Sequence, residues 1–246
     1  MSITGAAGGK GGNVYLSPHR DDAAFSLGAL IAKTPGGTLV NIFTRSEYLA
    51  VPITLGGDTP RVDIVSAIRA AEDEVFIARH GLEERNLGLD EPSLRGRDVF
   101  GDTAQTAPEL AMLRAPLTTV LDALLAVGPR PIYCPAGIGG HVDHLLACRV
   151  TVEWATARGL LGLLRFYEDL PYATKRSVRE EGLRRLRGTV PAKLRRTAWR
   201  AGSDKLAAIS LYPSQHRKPP MLKRFKPAAL WPIWPHEAVW SPVTHT

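Results

Sequence analysis

Cysteine is nearly missing from this 246-residue chain: only Cys134 and Cys148 occur, one in a strand-like run and one in a helix-like run. Two cysteines so placed argue against a disulfide scaffold, and both read as small core residues. No apolar run approaches the roughly 20 residues needed to cross a bilayer, so no membrane span is expected. The start, MSITGAAGGKGGN, lacks the basic-then-apolar order of a secretory leader, and the expected compartment is the cytoplasm. Acidic side chains are the minority, 24 against 31 Lys and Arg, for a net charge of +7. The imbalance is local: residues 175 to 200 hold ten basic side chains against Glu180 and Glu181, and residues 217 to 226 add five more. Such a run reads either as a solvated helix face or as a contact for an anionic group, such as a phosphate on the substrate or its carrier. Nucleic acid is the least favoured partner. The chain has no zinc finger, no recognition-helix motif and no aromatic ladder within the basic run.

With 44% hydrophobic residues the chain can bury one full core. The expected organisation is a flexible glycine-rich start over 1–12 and one domain over 13–246. Short apolar runs at 13–17, 38–44, 85–89, 131–135 and 163–168 alternate with helical patterns at 22–33, 61–80, 108–127 and 141–158. A basic helix after Tyr172, a strand near 194–200, a short helix before Pro213 and a Trp/Pro-rich tail complete the reading. Alternation of this kind predicts an α/β, Rossmann-like fold, a mostly parallel sheet flanked by helices.

In such sheets ligands bind beyond the carboxyl ends of the strands. Two polar clusters occupy such positions, Ser17-Pro18-His19-Arg20-Asp21-Asp22 after the first strand and Gly137-Ile138-Gly139-Gly140-His141-Val142-Asp143-His144 after PIYCP. A catalytic zinc takes three ligands from His and Asp or Glu and leaves a position open, and His19, Asp22 and His144 can supply that set. Adjacent carboxylates do not easily bind one ion from the same side, so one aspartate ligates and the other is free for proton transfer. The spacing His-x-x-His at a helix start puts His141 and His144 on one face. Each cluster alone is only suggestive, since His19, Asp21, Asp22 and His141 all have plausible capping or packing roles.

The combination resembles the LmbE-like or PIG-L family of zinc-dependent deacetylases, which act on N-acetylglucosaminyl lipids, mycothiol precursors and glycopeptide antibiotics. SPHRDDAAFSLG is similar to the family's first metal motif and GHVDH to its second. Ile68-Arg69-Ala70-Ala71-Glu72-Asp73 resembles its R-x-x-E-D helix, Gly88-Leu89-Asp90 its Leu-x-x-Asp strand end, and Phe166 to Ala173 and Tyr212 to Gln215 its late motifs. The resemblance implies one Zn²⁺ per chain held by His19, Asp22 and His144. It makes Asp21 the general base and His141 the stabiliser of the tetrahedral oxyanion, and it assigns Arg69 and Asp90 to substrate hydroxyls. Which aspartate does which rests on the resemblance alone. The implied substrate is a small N-acylated sugar or glycoside, in the first place an N-acetylated one, and the basic run adds the option of a phosphate on it. An excess of Arg over Lys with abundant Ala and Gly points to a GC-rich bacterial genome and specialised metabolism, and the resemblance to enzymes of glycopeptide antibiotics adds antibiotic biosynthesis.

Arg20 replaces the family's Pro or Leu, and either turns to solvent or reaches an anionic part of the substrate. Val142 replaces the Pro between the histidines. Asp143, Glu168 and Asp169 are expected to orient the ligands from behind, although Glu168 and Asp169 could also serve as catalytic groups. Trp231, Trp234 and Trp240 read as packing of the tail in preference to a sugar-stacking wall. His80, His216, His236 and His245 show no ligand spacing. The alternative reading of the same centre is a metal-dependent amidase acting on a larger sugar-thiol or other conjugate.

Overall fold

The computed structural model describes residues 12–51, 58–100, 106–216 and 236–243. Much of the 1–12 segment, the loops around 52–57 and 101–105, the basic run 217–226, Trp231, Trp234 and His245 lie outside the described residues. Seven strands form one sheet: β1 (Val14–Ser17), β2 (Thr38–Arg45), β3 (Glu83–Asp90), β4 (Ile132–Pro135), β5 (Leu164–Tyr167), β6 (Leu194–Arg200) and β7 (His236–Pro242). Their spatial order is β3-β2-β1-β4-β5-β7-β6, parallel through β5 and antiparallel at β7 and β6. Among the described residues the α-helices are α1 (Asp22–Lys33), α2 (Arg61–His80), α3 (Ala107–Ala126), α4 (Val142–Ala157), α5 (Arg176–Thr189) and α6 (Ser203–Ile209).

The helices end where local chemistry stops them. Thr106 and Glu109 form a reciprocal capping box at the start of α3, and Gly81 closes α2 in the left-handed region at φ 62°. Right-handed crossovers put α1 and α2 on one face, where α6 joins α1, and α3 with α4 on the other. β1 and β2 are buried on both sides, and Leu16, Leu39, Val40, Ile42 and Phe43 from these central strands are fully covered. Cys134 and Cys148 are free and buried, as core residues should be.

The strand order reverses between β1 and β4. Chain leaving one goes left and chain leaving the other goes right, so a crevice opens between their carboxyl ends. The loops after these two strands carry the two polar clusters, and the topology therefore brings them together.

The tail departs from expectation. Its end is the strand β7, inserted between β5 and β6, with Trp240 opposite both Phe166 and Arg196. Trp240 does pack: its indole N–H donates to Glu168 at 3.0 Å and Arg187 covers its ring. What holds β7 is Glu237. Its buried carboxylate accepts from the backbone N–H groups of Ala29 and Leu30, from the Trp199 indole and from Lys205, itself completely buried. One side chain thus ties β7 to α1, α6 and β6. Glu237→Ala should lower unfolding free energy by about 3–5 kcal/mol in urea titration, because it strands the Lys205 charge. The pair Lys205→Met with Glu237→Gln, which strands no charge and keeps an acceptor, should recover most of the loss.

Candidate active site

The loop after β1 turns sharply at Pro18, and Ser17 Oγ donates to the His19 carbonyl while accepting from Ala23 N–H. That turn places Asp22 on the first turn of α1 with its Oδ2 against the His19 backbone N–H at 2.8 Å. The loop after β4 is shaped by glycine. Gly139 has φ +100°, and a Cβ there would meet the Tyr172 ring at 2.5 Å; Gly182 of α5 lets that helix lie against the Ile138 backbone. The loop ends at His141, whose Nδ1 accepts the Asp143 N–H at 3.2 Å as the N-cap of α4.

Three buried groups then converge. His19 Nδ1 lies 3.1 Å and His144 Nε2 3.2 Å from the same Asp22 oxygen. Tetrahedral ligands at zinc distances stand about 3.4 Å apart, so the spacing fits a small divalent ion. Behind them, Asp143 Oδ2 takes His19 Nε2 at 3.0 Å and Asp169 Oδ1 takes His144 Nδ1 at 2.7 Å. Asp169 also accepts the Ile138 N–H, which fixes the glycine loop to the same carboxylate. With its Nδ1 occupied, His144 Nε2 is left buried without a hydrogen-bond partner, as a metal-facing nitrogen should be. His19, His141 and Asp143 form a second possible grouping, but Asp143 already serves His19 and Arg95. The first grouping fits better.

The electrostatics follow from burial opposed by pairing. Burial alone would raise Asp22, but the His144 and His19 rings hold it well below the carboxylate range. Burial would lower both rings. Asp143 and Asp22 nevertheless hold His19 well above the usual histidine value, and Asp22 with Asp169 pushes His144 up to about 9. Asp21 is raised by burial, opposed chiefly by the Arg69 guanidinium 3.0 Å away. His141, buried beside two cationic rings, is held far below the usual value and is neutral.

One cavity of about 540 Å³ is lined by His19, Asp21, Asp22, Arg69 and His141 and also takes in Tyr48, Phe100, Tyr172, Gln215 and Glu91. His144, buried 3.2 Å from Asp22, stands just behind its wall, with Asp143 and Asp169. Three expectations fail, those for Arg20, Asp90 and Glu168. Arg20 neither faces solvent nor reaches the cavity; it is buried against Asp73 and Glu84 at 3.3 and 3.0 Å. Asp90 is turned to Arg45 at 2.8 Å, and Glu91 beside it lines the cavity, paired to Arg69 at 2.5 Å. Glu168 orients no histidine of this centre: it binds Arg179 and Arg196. No residue of 175–200 lines the described cavity. His216, given no role from sequence, does line it, with Nε2 donating to the Ile209 carbonyl. Spacing carries no sign of this, because the residue arrives through the turn after Tyr212, fixed by Glu72 on Ser214.

A doubly wound sheet with a two-histidine, one-carboxylate centre at its switch point defines a class of α/β metal-site proteins. Within it, the chain is similar to proteins named as deacetylases. It is 37% identical over 192 residues to 2'-N-acetylparomamine deacetylase of Streptomyces fradiae, a match covering 74% of this chain and 66% of that protein, just under two thirds of its length. A deacetylase solved in complex with teicoplanin, from the teicoplanin biosynthesis pathway, superposes with a TM-score of 0.65 at 18% identity, over 93% of this chain and 97% of that one. The 4-carboxy-2-hydroxymuconate hydratase of Pseudomonas putida reaches 0.57 at 14% identity, over 96% and 98%. Searches against family models give no match. The fold is thus shared by different chemistries, and the site has to decide.

A divalent ion needs both metal-facing ring nitrogens unprotonated, so it competes with protons. His144, protonated below about 9, loses its proton only as pH rises through that value. Ion affinity should therefore fall as pH is lowered. Between pH 8 and pH 6 the expected loss is at least about 100-fold, one decade per pH unit per displaced proton. Equilibrium titration of chelator-treated protein with Zn²⁺ in two buffers of different ionisation enthalpy checks both the slope and the proton release.

Proposed function

We propose that this chain is a zinc-dependent N-deacetylase that releases acetate from the nitrogen of an N-acetylated amino sugar of the aminoglycoside kind. The observation that carries the proposal is that the His19–Asp22–His144 group borders a cavity whose wall also holds a carboxylate and a neutral histidine outside the ligand set. His19, Asp22 and His144 would hold the ion, one per chain. A bound Zn²⁺ would supply Lewis-acid activation of the attacking water and of the acyl carbonyl.

The remaining steps belong to the protein's own groups. Asp21 does not touch either ring, is held by Arg69 and faces the cavity; its raised carboxyl suits a base working near neutrality. It takes the proton of the water as the oxygen attacks the acyl carbon. The neutral His141 ring accepts at Nδ1 from the Asp143 N–H, so Nε2 carries the hydrogen and donates to the oxygen that gains negative charge. When the C–N bond breaks, Asp21 returns its proton to the leaving nitrogen, giving a free amine and acetate. Glu91 and Arg69, paired on the cavity wall, are placed to hold sugar hydroxyl or ammonium groups. Tyr48 and Phe100, exposed at the mouth, and Tyr172 offer faces for a sugar ring. A relative named for acetylparomamine and a cavity within the usual size range for small ligands support this substrate class over a larger conjugate.

Screening N-acetylated amino sugars by mass spectrometry should find a loss of about 42 Da that stops on chelation and returns with zinc. Asp21→Asn should keep the ion and lose about 10²- to 10⁴-fold in kcat with KM little changed, since a carboxamide keeps the shape but takes no proton. His141→Ala should also keep the ion and lose about 10²- to 10³-fold. An active, metal-loaded Asp21→Asn variant would remove Asp21 from the mechanism; a metal-free one would mean that the two aspartates exchange roles.

A further inference from the structure

The short helical turn Pro92–Arg95 follows β3, and its first residues Pro92 and Ser93 line the cavity beside Glu91. Its last residue reaches beneath the centre. Arg95, with only 12% of its side chain exposed, donates from Nη2 to Asp143 Oδ1 at 2.6 Å and from Nη1 to the Asp90 carbonyl. Its guanidinium lies 5.0 Å from the centroid of Phe43, a ring that in turn neighbours His19. Asp143 is completely buried, and its two oxygens have separate duties: Oδ1 takes Arg95, and Oδ2 takes His19 Nε2 at 3.0 Å.

A buried carboxylate with one unpaired oxygen can rotate, and rotation releases the ring it holds. Arg95 prevents this: it occupies Oδ1 with a permanent cation and leaves Oδ2 as the oxygen turned to His19. A carboxylate oxygen accepting at Nε2 requires the hydrogen on that nitrogen, which leaves the Nδ1 lone pair facing Asp22 and His144. Nothing in the motifs around His19 or His144 includes residue 95.

We propose that Arg95 is a positioning residue of the metal centre, acting through Asp143 to fix the orientation and tautomer of His19. It also joins the cavity-lining segment Glu91 to Ser93 to the geometry of that ligand. The inference rests on the metal reading of the His19–Asp22–His144 group. A merely structural Arg95, neutralising a buried charge, would affect folding stability and leave ion binding alone.

The test is a double-mutant cycle on chelator-treated protein. Zn²⁺ affinity is read by competition with a chromophoric chelator, ligand geometry by the visible absorption of the Co²⁺-loaded protein, and stability by thermal unfolding of the ion-free form. Arg95→Gln should weaken Zn²⁺ binding about 10- to 100-fold and shift the Co²⁺ bands. Arg95→Lys, which keeps the charge and is the milder change for folding, should fall between it and the unaltered protein. In an Asp143→Asn background, Arg95→Gln should add no further loss, because its route to His19 is already cut. Unchanged affinity and spectrum in Arg95→Gln and Arg95→Lys, with stability alone reduced, would overturn the proposal. So would losses that simply multiply in the double variant. If the unaltered protein binds neither Zn²⁺ nor Co²⁺, the metal reading itself falls, and this inference with it.

Discussion

Asp22 carries its negative charge in a crevice where few water molecules can reach it, and the surrounding groups are arranged to make that tolerable. A buried carboxylate without partners takes up a proton; this one is held ionised by two histidine rings on a single oxygen. The rings are in turn held by two further buried carboxylates, Asp143 and Asp169. Once the two rings give up their protons, the three carboxylates outweigh the Arg95 cation on Asp143, and a small divalent cation completes that arrangement. The ladder Asp143–His19–Asp22–His144–Asp169 spans β1, α1, α4 and the end of β5. The centre is therefore as rigid as the sheet that carries it.

Much of this was legible in the residues. The strand ends, the two loops and the meeting of their histidines and carboxylates follow from alternating elements, from glycine placed where a loop must turn, and from polar clusters directly after apolar runs; the choice between the two aspartates rested on the family resemblance alone. The same kind of reading misled at Asp90. Two neighbouring carboxylates end β3, and the one facing the cavity depends on register. The pairing with β2 shifts twice, between Asn41 and Phe43 and again between Phe43 and Arg45, and Arg45 lies opposite Asp90. Asp90 therefore stays with its strand neighbour Arg45, while Glu91, the next residue, arrives at Arg69. No one-dimensional pattern announces those shifts.

Arg20, Glu168 and β7 were illegible for a different reason. Their environments are assembled from distant segments: Asp73 on α2 and Glu84 on β3 for Arg20, α5 and β6 for Glu168, and α1, α6 and β6 for β7. A cation at a motif position looks like a site residue until its counter-charges are located. The basic run over 175–200 likewise reads as one surface. Yet Arg179 and Arg196 turn inward to Glu168, Arg187 covers Trp240, and Arg185 packs near Gly140 behind the loop that carries His141. Part of the positive charge therefore neutralises the interior and braces the site, and only the remainder is available to solvent.

The adjacent aspartates show how a fold distinguishes two identical side chains. Asp22 begins α1 and contacts both rings; Asp21, one residue earlier, points to the cavity and meets Arg69. Burial acts on both in the same direction, so the partners decide the difference. Two rings on one oxygen drive Asp22 down, while a single guanidinium that it shares with Glu91 leaves Asp21 raised. Neighbouring acids driven apart in this way take separate roles: the lower stays ionised and holds a cation, the higher exchanges a proton. The division depends on Glu91 drawing part of the Arg69 charge away from Asp21. The strand end that delivers Glu91 to Arg69 thus helps to tune the group proposed to move the proton.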